Sequence, residues 1–253
     1  MNYGTGLSGF LGTHLAKKLD IIAIPHDKIQ SIKLEPFDYF FFCSTYGNLA
    51  SQTDDSEIFK ANIEDLLRIV LQVKEMKFKC FVFISSSSVK LKYQTTYSRM
   101  KKAAEEILLA VMERYNLPIC IIRPYSVTGV GEQEEHLIPT VIKSIKEGKV
   151  INLVPNATHD FIDVEDVVDG ILNLSQNNAR GVFELGTGVK TTNKEVVETV
   201  EKVLSKKAIV NEVSSMRAYD NDNWVSTNFR SRSFGWFPKK TVEQSVKEMY
   251  EAK

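Results

Sequence analysis

The sequence predicts an α/β fold, a doubly wound parallel sheet with a small C-terminal lobe, and three observations carry that reading. After a short strand at 2–5, short apolar runs recur at 21–24, 39–43, 81–84 and 119–122. Their lack of polar alternation suits strands covered on both faces. Amphipathic helical patterns separate the later runs, the alternation expected of strand–helix–strand units. A glycine-rich turn, Gly4-Thr5-Gly6-Leu7-Ser8-Gly9-Phe10-Leu11-Gly12, joins the strand at 2–5 to the first helix.

Taken in order, the first strand covers 2–5 and the following helix carries Leu11, Leu15 and Leu19 on one face. Between Ile24 and Asp38 lie thirteen residues that include Pro25 and Pro36. A crossover helix would need most of that length, so a loop or single turn is expected there. After the strand at 39–43, the helix at 57–76 aligns Phe59, Ile63, Leu66, Leu67, Val70 and Val73. The strand at 81–84 leads to a helix at 97–115 with Met100, Ala104, Ile107, Leu108 and Val111 on its apolar stripe. Beyond Arg123-Pro124 the pattern is mixed. Helices are expected at 137–147, 164–175, 193–204 (capped by Thr192 or Asn193) and 241–250, with a strand at 182–185. No Gly/Ser or Pro linker and no internal repeat interrupts the chain. The second half therefore reads as a lobe packed on the sheet, within one compact unit.

Bulk properties narrow the function classes. The 253 residues suffice for a full core, and 43% hydrophobic with 25% charged residues is ordinary for a soluble globular chain. Lys+Arg and Asp+Glu both count 32, so no overall field favours nucleic acid or an anionic membrane. Cys43, Cys80 and Cys120 lie in apolar stretches and read as buried, reduced thiols. No Cys–His spacing suggests zinc, and no metal is expected. The N-terminus lacks a signal-peptide pattern and no apolar run approaches a membrane span, so a cytoplasmic location is expected.

Three constellations carry chemistry. In the glycine turn, Gly4, Gly6 and Gly9 overlap a second spacing, Gly6, Gly9 and Gly12. Glycines there permit a tight turn, admit a pyrophosphate against bare backbone, and leave helix amides to bind it. An acid at the end of the second strand normally binds the adenosine ribose. Here Pro25 stands near that place, with His26, Asp27 and Lys28 next in the chain. Asp27 favours NAD, whereas His26 and Lys28 could meet a 2′-phosphate, so NAD and NADP both stay open. The second constellation, Ser85-Ser86-Ser87-Ser88, ends the strand at 81–84, at the carboxyl edge where open α/β sheets bind ligands. The third, Tyr97 and Lys101, shares a helix face at i and i+4. A nearby ammonium is expected to lower the phenol from its ordinary value near ~10 and allow proton transfer at neutral pH.

Together these motifs resemble an extended short-chain dehydrogenase/reductase of the NAD-dependent epimerase/dehydratase family, which works on nucleotide sugars. Later segments agree over nearly the whole chain. Arg123-Pro124-Tyr125-Ser126-Val127-Thr128-Gly129 resembles the family's R-P-x-N-x-x-G, and His159-Asp160-Phe161-Ile162-Asp163-Val164-Glu165-Asp166-Val167 its R-D-F-I-H-V-x-D-V. Phe183-Glu184-Leu185-Gly186-Thr187-Gly188 resembles F-N-V-G-x-G, and Gly235-Trp236-Phe237-Pro238 the late G-W-x-P. The resemblance implies a Rossmann core mainly over 1–125 that binds NAD or NADP. Residues 126–253 would mainly form the substrate lobe, with segments returning to the core. Tyr97 would be the acid/base, Lys101 would bind the nicotinamide ribose and tune Tyr97, and Ser86, then Ser87, would be the catalytic serine. The cofactor side would comprise Gly6, Gly9, Phe10, Leu11, Gly12, Asp27, Ser44, Lys101 and Arg123. The substrate side would comprise Ser88, Ser126, His159 and the Arg217-x-x-Asp220 pair on the nucleotide diphosphate. The implied partner is a nucleotide-diphospho-sugar, with a homodimer as an option and no nucleic acid or membrane.

The chain departs from the family pattern at Ser126 (usually Asn), at His159 (usually Arg) and at the missing acid of the second strand. Only ten residues separate Ser86 from Tyr97, where a longer substrate-covering loop is common, so a more open site is expected. The family's 4,6-dehydratases carry Asp-Glu where Ser87 and Ser88 stand, and reductases that also epimerise C3 and C5 carry Cys at Ser88. What remains is hydride chemistry at C4, favoured as 4-keto reduction, with 4-epimerisation as the alternative. A non-catalytic NAD(P)-binding sensor is the alternative of another class, though such relatives typically lose the Tyr-x-x-x-Lys pair.

Overall fold

The structure, a computed structural model, describes residues 1–49, 51–214 and 224–252. Six parallel strands form the central sheet, in the order Gly181–Leu185, Ile119–Pro124, Cys80–Ile84, Tyr39–Phe42, Asn2–Thr5, Ile22–Ile24. From the first strand the chain moves outward to Ile22–Ile24, then returns to the other side of Asn2–Thr5 with Tyr39–Phe42. That reversal opens a crevice at the carboxyl ends of these two strands. The register pairs Thr5 with Phe42 and Phe42 with Phe83, so the glycine turn, Ser44 and the serine run emerge along one edge.

Continuous apolar runs are required because both faces are covered. Phe40, Phe42, Phe81, Phe83, Ile119 and Ile121 pack on one face, while Phe41, Cys80, Val82, Ile84, Cys120 and Ile122 pack on the other. Phe40 stacks on Phe81 with centroids 5.1 Å apart. The three cysteines are free, Cys80 and Cys120 buried and Cys43 half-buried. The second crossover is a single 3₁₀ turn, His26–Lys28, within a loop, as its length requires.

Two helices differ from the expected pattern. The stretch read as one helix is Asp55–Phe59, a π-helical turn Lys60–Glu64, and Asp65–Val73. The wider turn adds a residue and rotates the Asp65–Val73 helix about its axis relative to Asp55–Phe59. Phe59 and Leu67, expected in the core, are 46% and 36% exposed, while Ile58, Ala61, Leu66, Ile69, Val70 and Val73 are buried. In helix Thr96–Tyr115 the buried line is Ser98, Lys101, Ala104, Glu105 and Leu108, so the inward face is rotated toward two charged residues. Partners from the sheet, the Ile84 carbonyl for Lys101 and Arg123 for Glu105, compensate both.

The rest of the chain builds a second core from Ile138, Val141, Ile142, Ile145, Ile151, Leu153, Phe161, Val196, Val197, Val200, Val246 and Met249. Helices Leu137–Glu147 and Asn193–Leu204 fall where expected, and Thr192 caps the latter in a capping box with Glu195. Strands Ser126–Thr128 with Phe161–Asp163, and Val150–Leu153 with Ile209–Glu212, are additional to the expected elements. They are short, and partners far along the chain hold them rather than any local pattern. Trp236 returns to the sheet's second face, donating its indole N–H to the Asp166 carbonyl at 3.0 Å. Among the described residues no helix is long and apolar enough to cross a membrane.

Candidate active site

The three family glycines have different physical reasons. Gly6 sits at φ +67°, and a Cβ there would lie 2.6 Å from the backbone of Cys43 and Ser44. A Cβ on Gly12 would lie 2.2 Å from the Gly6 carbonyl oxygen. Turn geometry and close helix–turn approach account for both. Gly9 is different: its φ is −78°, and an added Cβ would meet only the Gly6 oxygen, at 3.3 Å. It is also the N-cap of helix Phe10–Lys18 with no side chain capping it. The leading amides of such a helix, from Phe10, Leu11 and Gly12, lack partners within the helix. A bare N-cap with outward-facing amides fits a dinucleotide pyrophosphate. Ser44, buried, lies beside this turn with its N–H 3.4 Å from Thr5 Oγ1. His14 fastens the same helix to the lobe through Glu165 and the Val130 carbonyl.

On the ribose side, Asp27 is exposed and 3.5 Å from Lys28. His26 is engaged with Asp65 at 3.1 Å, so both candidate cations for a 2′-phosphate already have a carboxylate partner.

The serine run divides into distinct roles. Ser85 Oγ donates to buried Glu105 at 2.5 Å. Ser86 caps the 3₁₀ turn Ser87–Lys90, accepting from Ser88 N–H at 3.1 Å, and its hydroxyl is 2.8 Å from that of Ser88. Ser86 and Thr45 lie near enough to Tyr97 for their hydroxyls to favour its ionised form. Ser87 is turned elsewhere: its Oγ accepts the Trp224 indole N–H at 2.8 Å. The structure thus brings Ser86, rather than Ser87, to Tyr97.

Lys101 is 1% exposed and donates to the Ile84 carbonyl at 2.9 Å, with its Nζ 6.0 Å from the Tyr97 ring centroid. The expected lowering of Tyr97 by this cation is not found. Burial pushes the Tyr97 phenol up, opposed by hydrogen bonds from Thr45 and Ser86. Burial also pushes the Lys101 ammonium down to about 7, against the attraction of Cys43 and Glu105. Between about 7 and the ordinary lysine value, the unfolded chain holds a proton that the folded one has released, so stability rises with pH across that window. Lys101→Met is therefore expected to raise the melting temperature most at pH values below about 7, with the gain vanishing toward ~10.4. Thermal melts of both proteins across that range would check this, and an equal shift at every pH would contradict it.

Arg123, expected on the cofactor side, forks onto Glu105 instead, Nε to Oε1 at 2.9 Å and Nη2 to Oε2 at 2.5 Å. A carboxylate that is 1% exposed needs such partners, and Arg123 with Ser85 supplies them.

On the substrate side, Ser126 and His159 meet, Oγ to Nδ1 at 3.4 Å, and the His159 ring lies 5.2 Å from that of Trp224. Arg217 and Asp220 fall outside the described residues. Trp224 reaches the serine turn from far along the chain, so the turn is covered where the short local loop suggests openness. Its segment is anchored by buried Asp160, which accepts from Ser226 N and Oγ, Thr187 N and Oγ1, and Gly188 N at 2.6–3.0 Å. Thr45, Asn62, Glu105 and Trp224 escape sequence reasoning. Only the asparagine within an apolar helical pattern leaves a trace in the sequence.

Comparison with known proteins bears on this geometry. The family model for the NAD dependent epimerase/dehydratase family matches residues 5–186. The chain is 24% identical to a GDP-6-deoxy-D-mannose reductase of Pseudomonas aeruginosa, over 96% of this chain and 93% of that protein. Its fold is similar to the structure of RMD from Pseudomonas aeruginosa complexed with NADPH (TM-score 0.85, 19% identity, 99% and 97% covered). It is also similar to a UDP-glucuronic acid 4-epimerase from Bacillus cereus in complex with UDP-glucuronic acid and NAD (TM-score 0.84, 18% identity, 99% and 98% covered). With the matched segment running from the glycine turn through the last strand of the sheet, the chain belongs to the NAD dependent epimerase/dehydratase family.

Proposed function

We propose that the protein is an NAD(P)-dependent oxidoreductase acting at C4 of a nucleotide-diphospho-sugar, in the direction of 4-keto reduction. The observation that carries this is the Tyr97 hydroxyl beside Ser86 at the carboxyl edge of the sheet, next to the glycine turn. When bound, the nicotinamide supplies hydride. Gly9 and the amides of Phe10, Leu11 and Gly12 hold the pyrophosphate, Ser44 flanks it, and Lys101 serves the ribose. Ser86 donates to the substrate's carbonyl oxygen, and Tyr97 delivers the proton to that oxygen as it becomes an alcohol. A phenol raised by burial stays protonated across the neutral range, which suits an acid better than a base. That supports reduction over epimerisation, which needs the same group to work in both directions.

Residues 1–125 mainly serve the cofactor and 126–253 mainly the substrate, with Ser88, Ser126, His159 and the Arg217–Asp220 pair on that side. The relatives named above act on or bind GDP- and UDP-linked sugars, which supports the substrate class. The test is to supply 4-keto nucleotide sugars carrying different bases with NADH or NADPH and track nicotinamide absorbance and products. Net oxidation with formation of the alcohol supports the reductase. Interconversion of C4 epimers without net oxidation supports the epimerase, and cofactor binding without any turnover supports a sensor. Arg217→Ala is expected to weaken nucleoside diphosphate binding by about 1.5–3 kcal/mol, the range for a charged hydrogen bond. Calorimetry with the diphosphate alone checks it.

A homodimer and a cytoplasmic setting complete this reading. Phe59, Leu67 and Leu71 are 46%, 36% and 60% exposed on one helical segment, an apolar stripe left outward by the π turn. A second copy covering it would remove that surface from water. Leu67→Asp with Leu71→Asp is expected to convert a dimer to a folded monomer by sedimentation velocity. A wild type that sediments as a monomer would end this part of the proposal. Three free cysteines suit a reducing compartment.

A further inference from the structure

The two halves of the sheet are unequal. In the usual doubly wound dinucleotide fold, the half that carries the glycine turn places a third strand outside the second. Here Ile22–Ile24 is itself the outermost strand, next to Asn2–Thr5. Ile22 is 49% exposed, Ala23 is exposed and only Ile24 is buried. Residues 25–38, all of them described, hold one 3₁₀ turn and no further strand. After that turn the chain folds down over one face of the sheet. Ile29 and Phe37 are buried there, Ile32 and Leu34 pack beside them, and the Leu34 N–H donates to Gln72 Oε1 at 3.1 Å. Asp38 then donates its N–H to the Met1 carbonyl at 2.8 Å, at the amino edge.

Only the start of this loop therefore stands at the carboxyl edge, and its polar groups are engaged with one another or with Asp65. His26 Nε2 is 3.1 Å from Asp65 Oδ2, and Gln30 donates to Asp65 Oδ1 at 2.8 Å. Asp27 and Lys28 meet at 3.5 Å, with side chains 72% and 65% exposed. His26, Asp27, Lys28 and Gln30 are all exposed, so none is held in a formed pocket. The other half is complete. Tyr39–Phe42, Cys80–Ile84, Ile119–Pro124 and Gly181–Leu185 lie side by side, with the serine turn following the second of them.

We propose that the protein recognises its dinucleotide through the pyrophosphate and the nicotinamide nucleotide, and leaves the adenosine largely in water. The proposal rests on the NAD(P) reading of the glycine turn. A ligand site ordinarily buries most of its ligand, and here the adenosine side offers an exposed edge strand and a short loop. NADH and NADPH then serve about equally, and a hydride donor without adenosine binds nearly as well. A cofactor held by one half also exchanges between turnovers, which net reduction requires and epimerisation with a retained cofactor does not.

The probes are NADH, NADPH and reduced nicotinamide mononucleotide, titrated by nicotinamide fluorescence with no substrate present. NADPH is expected to bind within about fivefold of NADH, because a 2′-phosphate gains from Lys28 only an exposed and already shared ion pair. The mononucleotide is expected within about tenfold of NADH. Gly9→Val is expected to weaken NADH and the mononucleotide alike, which puts both on the same turn. A mononucleotide loss above about tenfold, a preference between NADH and NADPH above about fivefold, or mononucleotide binding indifferent to Gly9→Val overturns the proposal. Failure of all three probes to bind the wild-type protein would instead overturn the NAD(P) reading itself, and the proposal with it.

Discussion

Tyr97→Phe is expected to lower turnover by about 10²–10⁴, the usual worth of general acid–base catalysis, while leaving fold and cofactor affinity intact. The substitution removes one oxygen from a side chain whose ring keeps its place beside Gly47 and Ser86. Single-turnover rates with a 4-keto nucleotide sugar measure the loss directly. Ser86→Ala is expected to cost less, because Ser86 supplies a hydrogen bond and not the transferred proton. Loss of turnover with unchanged KM would mark both as acting in the transition state. A Tyr97→Phe protein with wild-type turnover on a substrate the native protein accepts would remove Tyr97 from the mechanism.

Gly9→Val is the second large expectation, a fall in NAD(P) affinity of about 100-fold or more, roughly 2.7 kcal/mol, in a protein that still folds. Gly9 differs from its neighbours in the space around it. Side chains at Gly6 and Gly12 collide with backbone at 2.6 and 2.2 Å, so their replacement injures the turn itself. At Gly9 the nearest atom is 3.3 Å from an added Cβ, and beyond it lies the space before the helix amides. A branched side chain there would fill the pyrophosphate's place. Calorimetry with NADH and NADPH, with a thermal melt beside it, checks both halves. Unchanged affinity would show that the phosphates lie elsewhere. Gly12→Ala is the contrast, losing stability together with affinity.

The fold is legible in the sequence because its signals are local. Strands such as Tyr39–Phe42 and Cys80–Ile84 announce themselves by continuous apolar residues, since a strand buried on both faces has no solvent side to mark with polar ones. The glycine turn is equally local, and so is the capping box at Thr192. Pairs such as Ser126–Thr128 with Phe161–Asp163 are not legible, because each strand exists only beside a partner distant along the chain. The inward face of the helical stretch before Cys80–Ile84 also escapes the pattern, because a single π turn at Lys60–Glu64 breaks the constant periodicity on which such a pattern depends.

In the site, the sequence by itself determined which chemical groups are present and in what order: the glycine turn, the serine run, Tyr97 and Lys101. Only the tertiary structure decided their working state. Whether Lys101 lowers Tyr97 depends on where its ammonium points, and the Ile84 carbonyl holds it. Whether Arg123 faces cofactor or protein depends on Glu105, eighteen residues earlier. Which serine meets Tyr97 depends on Trp224 taking Ser87. One cause is common to all three. A side chain's charge and its hydrogen-bond direction are set by desolvation and by neighbours within a few ångströms, and folding brings those neighbours from distant parts of the chain.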